Sequence, residues 1–397
     1  MKSQKRIADY GIHIGCMKRG VLNAITDVAG VRVGHCTLDD GNIKTGVTVV
    51  IPHEGNMFQE KLFAACHVIN GFGKSVGLIQ IEELGTLETP IILTNTLSTG
   101  TATEALVRYM LKENLDIGKE TGTVNPVVCE CNDGFLNDIR GLHIREAHVL
   151  KALANAGTEF EEGSVGAGCG MSCYELKGGI GTASRLVEIE NLTFTIGVLV
   201  LSNFGEKGDF VVDGRKVGKS IVSLEQPQED QGSIIVVIAT DIPMTERQLK
   251  RLCRRSSVGI TRTGTYIGNG SGEIAIAFTT ANRFAHYEKA PVCSIGIFNE
   301  NHINIAFRAV VEATEEAVLN SMICAETTKG RDGNARHSLK EYASFLYTLI
   351  DNSTAPKGVR PTRPVAQISP PGFYKGRSGR TGNRSSQISK SGSPEDL

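Results

Sequence analysis

The sequence lacks any long hydrophobic run and any excess of charge of one sign. No segment approaches the roughly 20 consecutive apolar residues of a transmembrane helix, so no membrane partner is expected. Lys and Arg total 42 and Asp and Glu total 43, a balance that gives no indication of nucleic acid as a partner. The first fifteen residues contain no apolar core of a secretion signal. We therefore expect a cytoplasmic protein.

Zinc-type spacing is also missing, although the chain contains ten cysteines. Cys129 and Cys131 are close together, as are Cys169 and Cys173, but no histidine lies near either pair at the spacing of a zinc site. Scattered cysteines in a long chain are typical of reduced, buried thiols. The sequence therefore predicts neither disulfides nor a metal site.

A phosphate-binding loop is excluded by the position of the glycines. Two Gly-Lys-Ser triplets, beginning at Gly73 and Gly218, resemble the end of such a loop, which needs a further glycine five residues earlier to wrap the phosphate. Val68 and Asp213 occupy those positions. The triplets therefore do not predict a nucleotide site.

The sequence does contain an alternation of short apolar runs and amphipathic stretches. Six runs rich in β-branched residues predict buried strands: Val47–Ile51, Ile91–Leu93, Phe194–Leu201, Ile234–Ala239, Ile274–Phe278 and Val292–Phe298. Capping boxes at Thr101, Thr245 and Ser338 predict helix starts, and a longer helix is predicted from about Ile305 to Ala325. This mixture predicts an α/β or α+β fold with layered sheets.

The composition changes near Asp351, where Ser, Pro, Gly and Arg replace the apolar residues. Such a segment cannot bury enough apolar surface to fold. We expect a single catalytic domain over residues 1–350 and a disordered basic tail over residues 351–397.

The segment Thr265–Phe278 joins a polar, glycine-rich turn to an apolar strand and places Ser271 at the junction. On these residues alone, an ordinary loop entering a strand explains the pattern. A chemical interpretation is that Ser271 Oγ attacks the carbonyl carbon of Gly270 in a strained turn, an N-to-O acyl shift gives an ester, and water hydrolyses it. Ser271 would then own an α-amine with a pKa of roughly 7.7–8, suited to deprotonating its own hydroxyl.

Two other polar residues are candidates for the oxyanion donor and the amine-binding anion that an acyl-transfer site needs. Asn203 follows the apolar run that ends at Leu201, and a side-chain amide there can donate to a developing oxyanion; a turn-forming Asn is the alternative. Glu130 follows an apolar pair and can bind a substrate amine. A surface carboxylate at a turn is the alternative for Glu130.

Seven segments occur in the order found in a known peptidase family: Thr26–His35, Pro90–Thr96, Glu130–Asp138, Gly166–Gly181, Asn203–Gly205, Gly270–Gly272 and Glu312–Ala317. On these segments the chain resembles the L-aminopeptidase/D-amino-acid esterase and β-peptidyl aminopeptidase family of self-cleaving serine peptidases. The resemblance extends from about Ile25 to about Leu346 and is specific because the separate motifs keep their order.

The resemblance implies a four-layer αββα sandwich of the N-terminal-nucleophile type, similar in shape to ornithine acetyltransferases. It implies cleavage into an α chain, residues 1–270, and a β chain, residues 271–397, which stay together and assemble into a homo-oligomer. It gives Ser271 the role of nucleophile, Asn203 that of oxyanion donor and Glu130 that of amine binder, with Gly270 before the cut. It implies no metal and no organic cofactor, and a small peptide or amide as substrate.

The chain departs from the family at two places. Members with aminopeptidase activity tend to carry Tyr two residues after the equivalent of Glu130, where this chain has Asn132, so Asn132 becomes the candidate substrate contact. Those members also place a Ser-x-Glu pair before the long helix. The matching stretch here contains Asn299, Glu300 and Asn301, which are candidate supporting residues.

Three functions are compatible with these patterns. The first is a self-processing serine aminopeptidase or amidase, which would hydrolyse amino-acid p-nitroanilides after self-cleavage. The second is an acyltransferase of the same architecture, which would transfer acetyl groups without net hydrolysis. The third is a non-catalytic small-molecule-binding homologue, which would remain uncleaved.

Overall fold

Runs of β-branched residues form the strands and amphipathic segments form the helices in a computed structural model, which describes residues 4–221 and 232–342. The strands are β1 Arg32–Asp40, β2 Ile43–Ile51, β3 Glu60–Gly71, β4 Thr86–Leu87, β5 Ile91–Asn95, β6 Val127–Cys131, β7 Ser172–Cys173, β8 Leu176–Lys177, β9 Gly179–Ile189, β10 Leu192–Asn203, β11 Val211–Val212, β12 Arg215–Lys216, β13 Ser233–Thr240, β14 Gly272–Ala285, β15 Thr328–Lys329 and β16 Ala335–Arg336. The helices are α1 Leu78–Leu84, α2 Thr99–Glu113, α3 Glu146–Ala154, α4 Glu246–Arg262 and α5 Ile303–Ile323. The predicted tail, 351–397, lies outside the described residues.

The long strands lie in two sheets. One has four strands in the order β1-β2-β5-β6, and the other has six in the order β4-β3-β14-β13-β10-β9. The pairs β5–β6 and β13–β14 are parallel, and the other neighbours are antiparallel. Strand β14 therefore lies in the interior of the larger sheet, with β3 on one side and β13 on the other.

Three hydrophobic cores separate four layers of structure. Alternate residues of a strand point to opposite faces of its sheet, so Val50 and Val237 pack in the core between the two sheets. Their neighbours face outward: Val49 packs with side chains of α2 and α3, and Val236 packs with side chains of α4 and α5. The predicted four-layer αββα sandwich is therefore confirmed.

Most of the predicted elements are present. Five of the six apolar runs are strands, and the long helix is α5, which begins and ends two residues earlier than predicted. The capping box at Thr245 is confirmed, because Thr245 Oγ1 accepts the Gln248 N–H at 3.4 Å and Gln248 Oε1 accepts the Thr245 N–H at 3.2 Å. No helix in the described ranges is long and apolar enough to cross a membrane.

Two predictions are wrong, and a third extends beyond the described residues. Helix α2 begins at Thr99, two residues before the capping box predicted at Thr101. The capping box at Ser338 is followed by a 3₁₀ turn, Leu339–Tyr342, and the rest of the helix predicted there lies outside the described residues. The run Val292–Phe298 is an irregular segment, in which Val292 is 81% and Ile297 is 61% exposed. Its apolar content suggested a buried strand, but the segment pairs with neither edge of the described sheets.

Candidate functional site

Ser271 is fully buried immediately before β14, at one end of the larger sheet. Its backbone N–H donates to the carbonyl of Gly268 at 3.1 Å, and its hydroxyl donates to the carboxylate of Glu273. The next residue, Gly272, donates its N–H to the carbonyl of Gly232 at 3.1 Å, on the side of β13. Because strands flank β14 on both sides, the Ser271 hydroxyl is held in a defined position.

Backbone strain lies upstream of the Gly270–Ser271 bond. Ile267 has a φ of 63°, which is a genuine outlier for a β-branched residue. Gly270 itself does not adopt a positive φ. The strained residue of the turn therefore lies three positions before Gly270.

Asn70, in β3, holds this turn from the other side. Its amide nitrogen donates to the carbonyls of Gly268 and Asn269, each at 3.2 Å, and to the carbonyl of Ser271. These carbonyls flank that of Gly270 on both sides. One side chain thus fixes both ends of the segment that contains the Gly270–Ser271 bond.

Glu130 belongs to the other sheet, near the end of β6, and is 3% exposed. One carboxylate oxygen accepts the backbone N–H of Lys74 at 2.8 Å, and the other accepts the hydroxyl of Thr96. Lys74 lies in the loop that follows β3, and a Cβ on Gly73 in that loop would lie 3.3 Å from the Glu130 carboxylate. Since Gly71 pairs with Gly272, this loop connects the surroundings of Ser271 with those of Glu130.

Asn203 is the last residue of β10 and lies on the far side of β13 from β14. Ser233 of β13 lies opposite Asn203 of β10 on one side and opposite Gly272 of β14 on the other. The Asn203 amide nitrogen donates to the carbonyl of Asn132 at 3.0 Å, and its oxygen accepts the N–H of Ser172 at 2.8 Å. Both bonds fix the plane of the amide, and the first joins the larger sheet to the loop after β6.

Asn132 itself turns away from this contact. The residue is exposed, and its side-chain oxygen accepts the N–H of Gly134 at 2.9 Å. It therefore contributes a backbone carbonyl to the site, while its side chain stabilises its own turn.

Asp133, in the loop after β6, and Lys177, at the end of β8, are a buried acid and a buried amine. Burial raises the pKa of the Asp133 carboxyl to about 7, and lowers the pKa of the Lys177 ammonium to about 8. The Lys177 ammonium donates to the carbonyls of Gly168, Met171 and Gly178 at 2.9, 3.0 and 2.7 Å. Lys177 thereby fixes the segment that contains Ser172, the partner of Asn203.

The structure does not bring Asn299, Glu300 and Asn301 to Ser271. Phe298 donates its N–H to the carbonyl of Pro243 at 2.6 Å, and the Glu300 carboxylate accepts from side chains of α4. These contacts lie beyond the end of β13 that is opposite Ser233, and an eight-residue strand is about 23 Å long. The supporting residues were sought at the wrong end of the sheet, because similarity along the chain does not reveal which end of a strand a segment meets.

Sequence reasoning missed Glu273, Asn70 and Thr96. A signal for Glu273 was present, since residues two apart on a strand share a face and an acid inside an apolar strand needs a polar partner. Asn70 and Thr96 carry no comparable signal. Asn70 lies far from Ser271 in the chain and Thr96 lies far from Glu130, and only the pairing of strands brings each to its partner.

Comparison with known proteins identifies the family of the chain. Residues 23–336 match peptidase family S58. The chain is 38% identical over 353 residues to the β-peptidyl aminopeptidase BapA of Sphingosinicella microcystinivorans, covering 83% of this chain and 88% of the relative.

Two solved structures are similar over nearly their whole length. The PH0078 protein of Pyrococcus horikoshii OT3 is 50% identical, with a TM-score of 0.84 over 88% of this chain and 99% of that protein. The L-aminopeptidase D-Ala-esterase/amidase of Ochrobactrum anthropi is 37% identical, with a TM-score of 0.82 over 88% of this chain and 99% of that one. The latter is described as a prototype of the serine aminopeptidases and a variant of the Ntn hydrolase fold. The chain therefore belongs to peptidase family S58 and is an aminopeptidase with the N-terminal-nucleophile hydrolase fold.

Proposed function

We propose that the chain cleaves itself between Gly270 and Ser271, and that Ser271 is then the nucleophile that releases N-terminal residues from short peptides, amides or esters. The observation that carries this proposal is the position of Ser271, whose buried hydroxyl lies at the start of an interior strand. The relative named a β-peptidyl aminopeptidase supports β-amino acids among the N-terminal residues released.

The roles of the other residues follow from the chemistry of acyl transfer. The Glu130 carboxylate is held by two donors on different loops, and it binds the free amine of the substrate through its remaining lone pairs. The Asn203 amide nitrogen has two hydrogens, of which the bond to Asn132 uses one. The second N–H donates a hydrogen bond to the oxyanion that forms on the substrate carbonyl. Each acyl-enzyme is then hydrolysed by water.

The two chains stay together, and the resulting units assemble further. Strand β14 belongs to the β chain but pairs on both sides with strands of the α chain, which supports a stable αβ unit. Three exposed apolar side chains support self-assembly: Ile79 is 88%, Leu84 is 63% and Val68 is 47% exposed. They line two adjoining surface hollows that share Ile79, and exposed apolar patches of this kind mark protein interfaces.

Self-cleavage is tested by the intact mass of the purified protein and the N-terminal sequence of its smaller fragment. We expect a fragment that begins at Ser271 in the wild type and a single uncut chain in S271A, because the attacking oxygen is removed. S256A is the matched control: it removes a buried hydroxyl from α4, where it donates to the Cys253 carbonyl of the same helix, and should be cleaved normally. Cleavage of S271A at the same bond would refute the mechanism.

Activity is tested with amino-acid p-nitroanilides on the processed protein. Release of p-nitroaniline supports the aminopeptidase, and the same assay on uncut S271A should give no product. Acetyl transfer without net hydrolysis would instead establish the acyltransferase.

A further inference from the structure

We propose that Glu273 is the catalytic base and then the catalytic acid of the self-cleavage step, a role that rests on the proposed function. The need for such a group is chemical. In the processed enzyme the α-amine of Ser271 can accept the hydroxyl proton, but before cleavage that nitrogen is an amide and has no basic lone pair. The first cleavage therefore requires a base other than the one that serves every later turnover.

The position of Glu273 meets this need. Its carboxylate accepts the hydroxyl of Ser271, and both residues are fully buried. They lie two positions apart at the start of β14, and therefore on the same face of the strand. Within the described residues, Glu273 is the acceptor that the Ser271 hydroxyl contacts.

The backbone around Glu273 is shaped to hold it there. Glu273 pairs with Asn70 of β3, and the register shifts between Glu273 and Ile274, so that β3 contains one extra residue beside the pair. Irregularities of this kind re-aim side chains next to active sites. Asn70 meanwhile donates to the carbonyl of Ser271, so the two partners of the register pair hold the hydroxyl and the carbonyl of Ser271, respectively.

Glu130, a second buried carboxylate of the site, is committed elsewhere. It belongs to β6 of the other sheet, and its oxygens accept from Lys74 and Thr96. The two acids therefore divide the chemistry: Glu130 faces the substrate amine, and Glu273 faces the nucleophile.

The reaction balances without any other reagent than water. The Ser271 hydroxyl gives its proton to Glu273 as Oγ bonds to the carbonyl carbon of Gly270. The bond between that carbon and the Ser271 nitrogen then breaks, and the nitrogen takes the proton back from Glu273. This leaves an ester on Oγ and a free amine on Ser271. Water hydrolyses the ester, which gives the Gly270 carboxylate and restores the hydroxyl.

The test follows self-cleavage of the full chain during cell-free synthesis, by gel and by intact mass. General acid–base catalysis contributes about 10²- to 10⁴-fold to a rate, so E273Q should slow the appearance of the fragment beginning at Ser271 by about 100-fold or more. S256A is again the matched control and should cleave within about twofold of the wild type, because its hydroxyl bonds within α4 and supplies no general acid–base catalysis.

Chemical rescue separates catalysis from a structural role. E273A leaves space for a small carboxylate, so added sodium formate should accelerate its cleavage in proportion to concentration. E273Q fills the same space with an uncharged group and should not respond. Cleavage of E273Q at the wild-type rate, or a folded E273A that is slow and insensitive to formate, would overturn the proposal.

Two controls keep the result decisive. If neither neutral variant shows a cooperative thermal transition, E273D is compared instead. E273D keeps the charge on a side chain that is shorter by one methylene group. Cleavage of E273D as fast as that of the wild type would overturn the proposal. If the wild type itself is never cut before Ser271, the proposed function fails. If the wild type is cut and E273Q is cut equally fast, only the role of Glu273 fails.

Discussion

Glu130 shows how much a single side chain depends on residues distant in sequence. The Lys74 backbone and the Thr96 hydroxyl hold its two oxygens, and neither contact is visible in the motif that contains Glu130. Its charge is therefore fixed in direction before any substrate arrives, which reduces the entropy lost on binding an amine.

Replacing that charge should affect substrates and self-cleavage differently. E130Q keeps the shape but loses the ion pair with the amine, and a hydrogen bond to a charged group contributes about 1.5–3 kcal/mol, so kcat/KM for amino-acid p-nitroanilides should fall by about 10- to 100-fold. Self-cleavage, which involves no free amine, should proceed normally.

E88Q is the matched control, because Glu88, before β5, is also a 3% exposed carboxylate and is held by three donors, one from Lys61 and two from Asn125. E88Q should leave KM unchanged. Equal losses of peptidase activity and self-cleavage in E130Q would show that Glu130 is structural.

Asp133 gives the protein a pH dependence of its own. Its carboxyl is 1% exposed, and burial raises its pKa from 3.8 to about 7. The folded state thus favours the protonated carboxyl. Its contribution to the free energy of unfolding is therefore fully present below pH 4 and is lost as the pH rises towards 7. At about 1.4 kcal/mol per pKa unit, the loss amounts to about 4 kcal/mol.

D133N removes this titration while keeping the acceptor for the Asn137 amide at the Oδ1 position. The free energy of unfolding is measured in urea for both proteins. The value for D133N minus the value for the wild type should therefore increase between pH 4 and pH 8. D40N, at an exposed position at the end of β1, should show no such gain. If the free energies of unfolding of D133N and the wild type instead change with pH in parallel, ionisation of Asp133 does not destabilise the folded protein.

At the scale of elements, the close contact of α4 with α5 depends on a glycine, Gly259, which has no side chain. A Cβ on Gly259 of α4 would lie 2.7 Å from the carbonyl oxygen of Val311 and 2.7 Å from Cβ of Thr314, both in α5. The backbone carbonyl cannot rotate away, so the helices would have to separate.

G259A is therefore a case in which helix propensity and packing oppose each other. Alanine is favoured over glycine inside a helix by about 1 kcal/mol, whereas overpacking costs about 1–3 kcal/mol. We expect a net loss of about 1–2 kcal/mol in the free energy of unfolding. S257A, at a half-buried position of the same helix, should not destabilise the protein. A stabilised G259A would show that α5 can shift without cost.

Elements whose pattern is local could be predicted, and those decided by tertiary contacts could not. The strands β2, β10 and β13 are recognisable because their burial on both faces requires continuous apolar runs. The run Val292–Phe298 has the same composition but is irregular, since composition does not specify a pairing partner. The start of α2 was misplaced because Asn95, outside the helix, caps the preceding 3₁₀ turn through the N–H groups of Leu97 and Ser98.

The site divides in the same way. Ser271, Glu130 and Asn203 could be named as candidates because each ends or begins an apolar run and a family pattern surrounds each one. Asn70 and Glu273 became apparent only when β3 and β14 were paired. A sequence indicates which strands exist more readily than which residues of two strands are opposite.

At the scale of the whole molecule, the exposed apolar face around Ile79 predicts self-assembly. A charge placed in a buried interface is costly when it has no partner, so I79E should reduce the mass measured by light scattering on a sizing column. L192E is the matched control, because Leu192 is 59% exposed at the turn between β9 and β10. An assembled wild type whose mass is unchanged by I79E would place the interface elsewhere.

The interior position of β14 also has a consequence for timing. Ser271 meets Glu273 and Asn70 only after β14 has been inserted between β3 and β13, so under the proposed mechanism an unfolded chain has neither a reactive bond nor a nucleophile. Maturation is then a first-order process with a half-time that does not change on dilution, and no second enzyme is needed to begin it. Each molecule becomes a peptidase only by completing its own sheet, so peptidase activity in a sample reports how many chains have folded.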